Sequence, residues 1–468
     1  MKKFNEKVSL INKYFAMFNS GNKNLAIRKL KENFNKNPQS SDLAASIALL
    51  YQKCEKDSMA KEYYLKALKI DKTNASYLFN YGVLLYGLRD FDKGLKYVKQ
   101  ALEFEENAFY CLTYAKFLYN SGYTKESETY LLAAEKFDTS KGEIAEEIRW
   151  NLSFANLRMG NLRIGWKYYE ARLNFKIARD THDAMKSEAI LNNQIPEWKG
   201  EDLHNKTLIV NDEQGFGDTI QFVRYLLLLI ERYQNLTINL ICKKPLYRIF
   251  QNFGKNINVF FREDNMDEVN EIKADFHIFL MSIPVFFEIN YESIFKSFPY
   301  INVPKRKKDF PFIDKEKINI GLSWRGSDAN PNDVNRSLWD VNELSPLLNN
   351  SKINCISLQV GNSTVDRKEL TLMKDASPYI DDFYDSLEVI NSLDLIITID
   401  TGLAHLAGAA NLPCWVLIPK ICTDWRWGED LSYSPWYESL KIYKQKEPDD
   451  WSFPINSIVE DLISKFNL

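Results

Sequence analysis

The first third of the chain repeats itself with a period of 34 residues. Ala26, Ala60 and Gly94 occupy the same place in successive segments, and Ala67 and Ala101 repeat that spacing. Small residues recur where two helices cross so closely that a larger side chain does not fit. A period of this length is typical of stacked helical hairpins, each of which buries its apolar face against its neighbours. The sequence therefore predicts an N-terminal array of helical hairpins.

The pattern over residues 9–176 resembles tetratricopeptide repeats. Gly82 supplies the small residue of a first helix, and a third unit follows at Ala108–Ser140. A fourth unit, around Trp150–Phe175, departs from the period. A generic helical bundle is the alternative. Repeat arrays form concave surfaces that bind peptides or proteins, so residues 1–176 are predicted to be a protein-binding domain.

Length and composition fit a chain of two or three domains. The 468 residues are too many for a single small core, and 45% hydrophobic with 26% charged residues is ordinary for a globular protein. A net charge of −3 gives no reason to expect nucleic-acid binding, and the basic stretch Lys305–Lys308 is interpreted as a solvated linker. The six cysteines show no metal-ligand spacing, which predicts reduced thiols and no metal site.

Neither a signal peptide nor a membrane span is expected. The charged start, Met1–Lys7, is not followed by an apolar segment. The longest aliphatic run, Leu226–Ile230, is far short of the roughly 20 residues that a spanning helix needs. We therefore expect a cytoplasmic protein that is at most peripheral to the inner face of the membrane.

After a polar linker at 177–205, strands and helices alternate, which predicts a doubly wound α/β architecture. A connector at Pro299–Pro311 divides this part into two Rossmann-like domains, 206–311 and 312–468. The predicted strands are Thr207–Val210, Leu236–Cys242, Ile257–Phe261, Phe276–Met281, Ile318–Ser323, Cys355–Leu358, Leu395–Ile399 and Cys414–Ile418. The predicted helices are Thr219–Arg232, Tyr247–Phe253, Val341–Leu348, Leu387–Asn391 and Ile458–Phe466. The fold class is thus α followed by α/β.

One strand-to-helix turn is suited to an anion. The apolar strand Leu395–Ile399 ends at Asp400, Thr401 and Gly402, after which a helical period begins. Such a turn presents backbone N–H groups and the positive end of a helix dipole, where α/β folds hold phosphate. We expect Thr401, Gly402 and Leu403 to donate to the phosphate groups of an anionic ligand and Asp400 to accept from hydroxyl groups of the same ligand.

Two segments carry a resemblance to a known family. Asn211–Tyr225 and Asp400–Ala407 resemble the signature turns of heptosyltransferase-like glycosyltransferases of family 9, which have the GT-B fold. Gly321–Arg325 and Asn335–Ser337 are similar to further segments of that family. With the repeats and the tail that begins at Asp424, the chain resembles bacterial repeat-containing glycosyltransferases, some of which are implicated in modifying proteins such as flagellins. The resemblance implies inverting transfer from a nucleotide sugar, with neither a metal nor a cofactor.

Asp218 is the candidate catalytic base. It follows Gly215 and Gly217, whose lack of a side chain lets the backbone approach a ligand closely. The resemblance implies the same role, because the family's catalytic carboxylate matches this position. The alternative is that Asp218 only caps the following helix. Asp212 and Glu213 are nearby carboxylates that remain open as the base.

The other candidate residues are predicted to surround the nucleotide sugar. Gly217, Arg325 and Arg336 are predicted at the diphosphate, where a planar guanidinium fits well; a surface salt bridge is the alternative for each arginine. Gln359 is expected to meet the base or ribose. His405 either donates to phosphate or packs with its ring satisfied by a backbone carbonyl. We expect a pocket for the sugar or the base to be lined by Gln214, Asp424, Trp425 and Trp427. Ordinary packing is the alternative for the two tryptophans.

The resemblance, together with these residues, implies a hexosyl- or heptosyltransferase that moves a sugar from a nucleotide sugar to an acceptor recruited by the repeats. The acceptor is expected to be a protein, such as a flagellin or another surface protein. A lipid-linked or polysaccharide acceptor and an inactive nucleotide-binding scaffold are the alternatives. A nucleotide-sugar epimerase is disfavoured, since neither its glycine fingerprint nor its Tyr-x-x-x-Lys pair occurs at the start of the α/β region. The donor sugar, the base and the oligomeric state, a homo-oligomer included, stay open.

Overall fold

The computed structural model describes residues 2–138, 142–174, 190, 194–261, 269–287, 289, 294, 298–303, 308–361 and 373–467, with side chains from residue 9 onward. The chain forms two compact units, Met1–Asn151 and Leu152–Leu468. Most of the predicted linker before residue 194 and most of the basic stretch at 305–308 lie outside the described residues.

The first unit is an array of helical hairpins of the tetratricopeptide-repeat type. First helices begin at Ser41, Ala75 and Ala108, in steps of 34 and 33 residues, and the matching second helices keep the same steps. The helices are Lys2–Asn19 (α1), Lys23–Lys36 (α2), Ser41–Gln52 (α3), Asp57–Ile70 (α4), Ala75–Gly87 (α5), Phe91–Phe104 (α6), Ala108–Asn120 (α7) and Thr124–Phe137 (α8).

Small residues and caps explain why the array repeats. A Cβ on Gly82 would lie 2.9 Å from the carbonyl oxygen of Gly94, so helices α5 and α6 cross too closely for a side chain there. Ser40, Asn74 and Asn107 cap the three first helices, each accepting the N–H of the residue three positions on. The predicted hairpin array is therefore confirmed, with a polar cap fixing where each first helix starts.

The second unit begins with the end of the helical region. Helix α9 (Glu143–Arg158) contains the point of division, and helix α10 (Leu162–Tyr169) with the 3₁₀ turn Glu170–Leu173 lies in the second unit. The division therefore falls before the predicted domain boundary at residue 176. The helical pattern continues past the division, but helix α10 and the 3₁₀ turn pack on the α/β part.

The first α/β half is built on a four-stranded sheet. Its strands are parallel in the order β3-β2-β1-β4, with Val210 of β1 between Leu240 and Ile278. The strands are Thr207–Asn211 (β1), Thr237–Cys242 (β2), Ile257–Phe261 (β3) and Phe276–Phe279 (β4), and the helices are Phe216–Phe222 (α11), Arg224–Arg232 (α12) and Lys244–Phe250 (α13). The single helix predicted at Thr219–Arg232 is two helices, which adjoin at Val223.

The second α/β half has six parallel strands in the order β7-β6-β5-β8-β9-β10, with Ile397 of β8 between Leu322 and Trp415. Numbered from its own first strand this is 3-2-1-4-5-6, the Rossmann order. Its strands are Ile318–Ser323 (β5), Ile353–Ser357 (β6), Lys374–Asp375 (β7), Leu395–Ile399 (β8), Cys414–Ile418 (β9) and Leu440–Lys444 (β10). Its helices are Asp333–Arg336 (α14), Ser345–Leu348 (α15), Phe383–Ile390 (α16), Gly402–Ala409 (α17) and Ser452–Phe466 (α18).

These sheets confirm the predicted pair of Rossmann-like halves. Strands β7 and β10 were not predicted. Strand β10 lies at the sheet edge and has lysine at two of its five positions, a weaker signal than a buried apolar run. The helix predicted at Val341–Leu348 is a 3₁₀ turn followed by the single α turn α15. All six cysteines are free. Over the described residues, no helix combines the length and apolar character needed to cross a bilayer.

Candidate active site

The two glycine-containing turns that the sequence singled out lie against each other. Each follows a central strand, β1 or β8, and begins a helix, α11 or α17. A Cβ on Gly217 would lie 2.6 Å from Cδ2 of His405 and 3.4 Å from Cα of Gly402. The glycine therefore permits the N-terminal ends of α11 and α17 to meet. In parallel sheets, ligands bind at the carboxyl ends of the strands, so this meeting point is the candidate site.

Asp218 has both carboxylate oxygens engaged. Its Oδ2 accepts the N–H of Gly215, 2.8 Å away, and its Oδ1 forms an ion pair with Nη2 of Arg426. Gly215 is the N-cap residue of α11 and Asp218 lies in the helix's first turn, so the carboxylate does help to cap the helix. It also remains 19% exposed. The Asp218 carboxylate thus caps α11 and is still partly accessible to solvent.

The surroundings of Asp218 shift the pKa of its carboxyl group. Burial raises the pKa of the Asp218 carboxyl, while Arg426 and the Gly215 N–H oppose that rise and the nearby Asp424 and Glu213 add to it. The net direction is upward. A general base works best when its pKa lies closer to the operating pH than that of an ordinary aspartate.

The two alternative carboxylates are committed to other contacts. The Asp212 side chain is fully buried, and its Oδ2 accepts the backbone N–H of Lys243 at 3.0 Å. The Glu213 side chain is fully buried as well and pairs with Arg172. Of the three acids proposed from the sequence, Asp218 alone is partly exposed.

Arg426, which lies between Trp425 and Trp427 in the sequence, links the candidate base to the second half. Its guanidinium joins Asp218 and Gln221 of the first half to Asp424, whose carboxylate oxygens lie 3.1 and 3.2 Å from Nη1. The group also lies 4.2 Å from the centre of the Trp425 ring, and its side chain is only 7% exposed. The signal was present as an arginine between two tryptophans, but its partner Asp218 is 208 residues away.

The Asp400–Gly402 turn is held from the side by Arg336. Nη1 of Arg336 donates to the carbonyl oxygen of Asp400 at 2.7 Å, and Nε donates to Oδ1 of Asp333 at 3.2 Å. Thr401 is the N-cap residue of α17, yet its side chain makes no capping hydrogen bond and lies 3.2 Å from Oγ1 of Thr398. The start of α17, at Gly402 and Leu403, is therefore not covered by its own cap residue.

Burial also raises the pKa of Asp400, to about 6, with Asp424 adding to the rise and Arg336 and Arg426 opposing it. A protonated Asp400 can donate a hydrogen bond as well as accept one, which extends the predicted role of accepting from hydroxyl groups.

His405 is a buried, neutral histidine. Its Nδ1 is 2.8 Å from the hydroxyl of Tyr437, and its ring lies beside that of Trp427, with 5.8 Å between centres. Burial holds the pKa of His405 well below its usual value, and Arg426 and Arg224 act in the same direction. Nδ1 of the ring therefore has a partner, a tyrosine hydroxyl, where the packing alternative expected a backbone carbonyl.

Arg325 and Gln359 form a separate pair. The Gln359 amide accepts the backbone N–H of Arg325 at 3.2 Å and donates to its carbonyl oxygen at 3.0 Å. The Arg325 guanidinium donates to the carbonyl oxygen of Trp339 at 3.0 Å and stacks over the exposed Trp339 ring at 5.1 Å. Gln359 thus positions the backbone at the end of β5.

The proposed pocket residues are mostly packed. Trp425 and Trp427 are buried, and the Trp425 ring contacts Trp166 with 5.4 Å between ring centres. Gln214 is exposed and hydrogen bonds to Tyr169. Asp424 is half-buried beside Arg426. Within the described ranges, no group of three or more His, Cys, Asp or Glu side chains is arranged to hold a metal ion.

Comparison with known proteins gives one curated relative. The chain is similar to Protein FlbA of Caulobacter vibrioides, with 24% identity over 326 residues that make up 63% of this chain and 51% of FlbA. The match thus spans about half the length of that relative. No protein-family model matches the chain.

Solved structures resemble about a third of the chain. They include pilF of Pseudomonas aeruginosa, with 18% identity and a TM-score of 0.33, covering 36% of this chain and 77% of that chain. MamA has 13% identity and a TM-score of 0.32, covering 36% and 95%. YrrB, described as a TPR protein with an unusual peptide-binding site, has 15% identity and a TM-score of 0.28, covering 33% and 84%. Likenesses of this extent carry no conclusion about function.

Proposed function

We propose that the chain is an inverting glycosyltransferase that moves a sugar from a nucleotide sugar to a hydroxyl group. The observation that carries the proposal is the meeting of the two turns at Gly217 and Gly402. Asp218, a partly exposed carboxylate, follows Gly217 directly and so lies near the start of α17, whose cap residue Thr401 makes no side-chain capping hydrogen bond. The resemblance of both turns to glycosyltransferases of family 9 supports the same assignment.

The donor's diphosphate is assigned to the Asp400–Gly402 turn. Backbone N–H groups at the start of α17 and the helix dipole favour an anion there. Arg336 lies beside them, since its guanidinium contacts the carbonyl oxygen of Asp400. These groups stabilise the negative charge that develops on the leaving diphosphate.

In the proposed step, Asp218 takes the proton of the acceptor hydroxyl as the acceptor oxygen attacks the anomeric carbon. The bond from that carbon to the diphosphate oxygen breaks, and its electron pair leaves with the nucleoside diphosphate. Because attack and departure occur on opposite faces, the anomeric configuration inverts. The raised pKa of Asp218 makes it a stronger base than an ordinary aspartate.

The acceptor is proposed to be a protein that the repeat array recruits. Repeat arrays present extended surfaces to peptides and proteins, and this chain devotes Met1–Asn151 to such an array. A flagellin or another surface protein remains the acceptor that the sequence resemblance suggests. A lipid-linked or polysaccharide acceptor is the competing outcome of the same experiment.

The test is transfer to candidate acceptors with a panel of sugar nucleotides, followed by intact-mass spectrometry. Wild-type protein should add the mass of one sugar and release a nucleoside diphosphate. Asp218→Asn should lower the turnover by about 10²–10⁴-fold, the range for loss of a general base, while nucleotide binding persists. Asp202→Asn, which changes a carboxylate that is 71% exposed, is the matched control. Turnover near wild type in Asp218→Asn would remove Asp218 from the mechanism.

A further inference from the structure

The last helical turns of the chain's first third contact the residues that lead into Asp218. Arg172, in the 3₁₀ turn after α10, is fully buried and forms a two-pronged ion pair with Glu213, with Nε–Oε2 and Nη2–Oε1 distances of 2.9 and 2.8 Å. Its Nη2 also donates to Oγ of Ser282 at 2.7 Å, and Nη1 donates to Oε1 of Glu170 at 2.6 Å. Glu213 in turn accepts the backbone N–H of Met281 at 3.0 Å.

The next residue in the chain is held as well. The Tyr169 hydroxyl lies 3.0 Å from Nε2 and 3.2 Å from Oε1 of Gln214. Gln214 has a φ of +59°, a conformation that side-chain-bearing residues seldom adopt. Such a conformation costs about 1–3 kcal/mol and persists when its surroundings fix it. Gly215 follows at once, and its N–H is the group that Asp218 accepts.

The same helical turns contact the segment that carries Arg426, the other partner of Asp218. The Trp166 ring meets Phe222 of α11 and Trp425 edge to face, each with 5.4 Å between ring centres. Arg158 donates to the carbonyl oxygen of Thr423. Helical residues 158–173 therefore touch both the turn before Asp218 and the segment that carries Arg426.

A buried ion pair is poor evidence for stability, because removing two charges from water costs about as much as their attraction returns. Here Arg172 and the hydroxyl of Tyr169 hold two consecutive residues. This arrangement is better explained as a means of fixing the position of that part of the backbone. The two residues held, Glu213 and Gln214, directly precede the cap of the helix that bears Asp218.

We propose that Tyr169 and Arg172 are positioning residues of the catalytic centre, which fix the Glu213–Gly215 backbone and through it the Asp218 carboxylate. The inference rests on the proposed function, in which Asp218 is the base. It makes residues 158–173 a component of the transferase as well as the continuation of the repeat array. An array that recruits an acceptor thus leads in sequence directly into the element that sets the base.

The test uses the full chain with Tyr169→Phe, which removes one hydroxyl and keeps the ring. We expect kcat to fall by about tenfold, because a displacement well under 1 Å at a reacting group is costly. The donor KM and the thermal shift produced by UDP, GDP, ADP or CMP should stay within about twofold of wild type, since the Asp400–Gly402 turn is untouched. Tyr123→Phe, in the array and 48% exposed, is the matched control.

A double variant separates positioning from general support. If Tyr169 acts through Asp218, adding Tyr169→Phe to Asp218→Asn should lower the residual turnover no further, since residues that act as a unit are not additive. An unchanged kcat in Tyr169→Phe overturns the inference, and so does a parallel loss of kcat, nucleotide binding and melting temperature. The proposed function fails by a different result, namely neither sugar transfer nor release of a nucleoside diphosphate by the wild-type protein with any sugar nucleotide of the panel.

Discussion

Replacing Arg426 by glutamine should move the acid limb of the pH–rate profile to higher pH. The base must be ionised to accept a proton, so activity rises with pH through the pKa of Asp218. Arg426 contacts the Asp218 carboxylate directly and lowers its pKa against the effect of burial. Without that positive charge the protonated form is favoured over a wider range, and a higher pH is needed to reach the same rate.

The size of the shift follows from the contact. An opposite charge within about 4–6 Å lowers a carboxylate pKa by about 1–3 units, and one unit corresponds to about 1.4 kcal/mol. The two side chains are only 19% and 7% exposed, so solvent screens the pair weakly. We therefore expect the acid limb in Arg426→Gln to move upward by about 1–3 pH units.

The assay is kcat/KM for release of the nucleoside diphosphate at pH 5–10, because this parameter reports the free protein's groups. Arg426→Lys keeps a positive charge and should move the limb less than Arg426→Gln does. Asp424→Asn should move it downward, because Asp424 raises the pKa of Asp218. An acid limb that stays in place in Arg426→Gln would refute the reasoning, whatever the absolute rate.

Three further predictions concern the facing turns and the helical region. In Gly217→Ala the new Cβ would lie 2.6 Å from Cδ2 of His405 in the opposite turn. Nucleotide affinity, measured by titration calorimetry, should therefore fall by tenfold or more, and the free energy of unfolding should fall by about 1–3 kcal/mol. Gly87→Ala is the control, because its new Cβ would meet nothing within 4 Å. Arg336→Lys should weaken binding of a nucleoside diphosphate by about tenfold in the same titration, because lysine loses the planar fork. Deleting residues 1–141 should reduce transfer to a protein acceptor more than donor hydrolysis, whereas deleting 1–176 should abolish both, as product analysis would show.

The patterns in the sequence were sufficient for most of the elements and for the order in which they occur. The 34-residue spacing of small residues predicts hairpins because close crossings require them, and the structure has Gly82 and Gly94 at one such crossing. The apolar run Leu395–Ile399 predicts a buried strand, which it is to the residue. Its turn at Gly402 begins a helix as expected.

Contacts between distant parts of the chain could not be predicted in this way. Periodicity reports which face of an element is buried but not against what it is buried. Arg426 and Asp218 are 208 residues apart, and no local pattern joins them. The same limit explains why the boundary was set at residue 176: helix α10 continues the helical pattern of the array, while Arg172 and Tyr169 pack on the α/β part.

The single residues for which the sequence leaves alternatives open differ in burial. Asp212 and Glu213 are as acidic as Asp218 in the sequence, but their side chains are fully buried and paired. His405 lies at a helical position that suits either a ligand-binding or a packing role, and its Nδ1 lies 2.8 Å from the hydroxyl of Tyr437. A sequence motif fixes which residue types are near a turn, and the packing around the turn then decides which of them remain accessible.

The most direct measurement is a crystal structure of the full chain with a bound nucleoside diphosphate. The account predicts diphosphate oxygens within about 3 Å of the backbone N–H groups of Gly402 and Leu403, with the Asp218 carboxylate facing the same space. A nucleotide bound at any other surface, or a diphosphate at this turn with Asp218 turned away from it, would contradict the central claim.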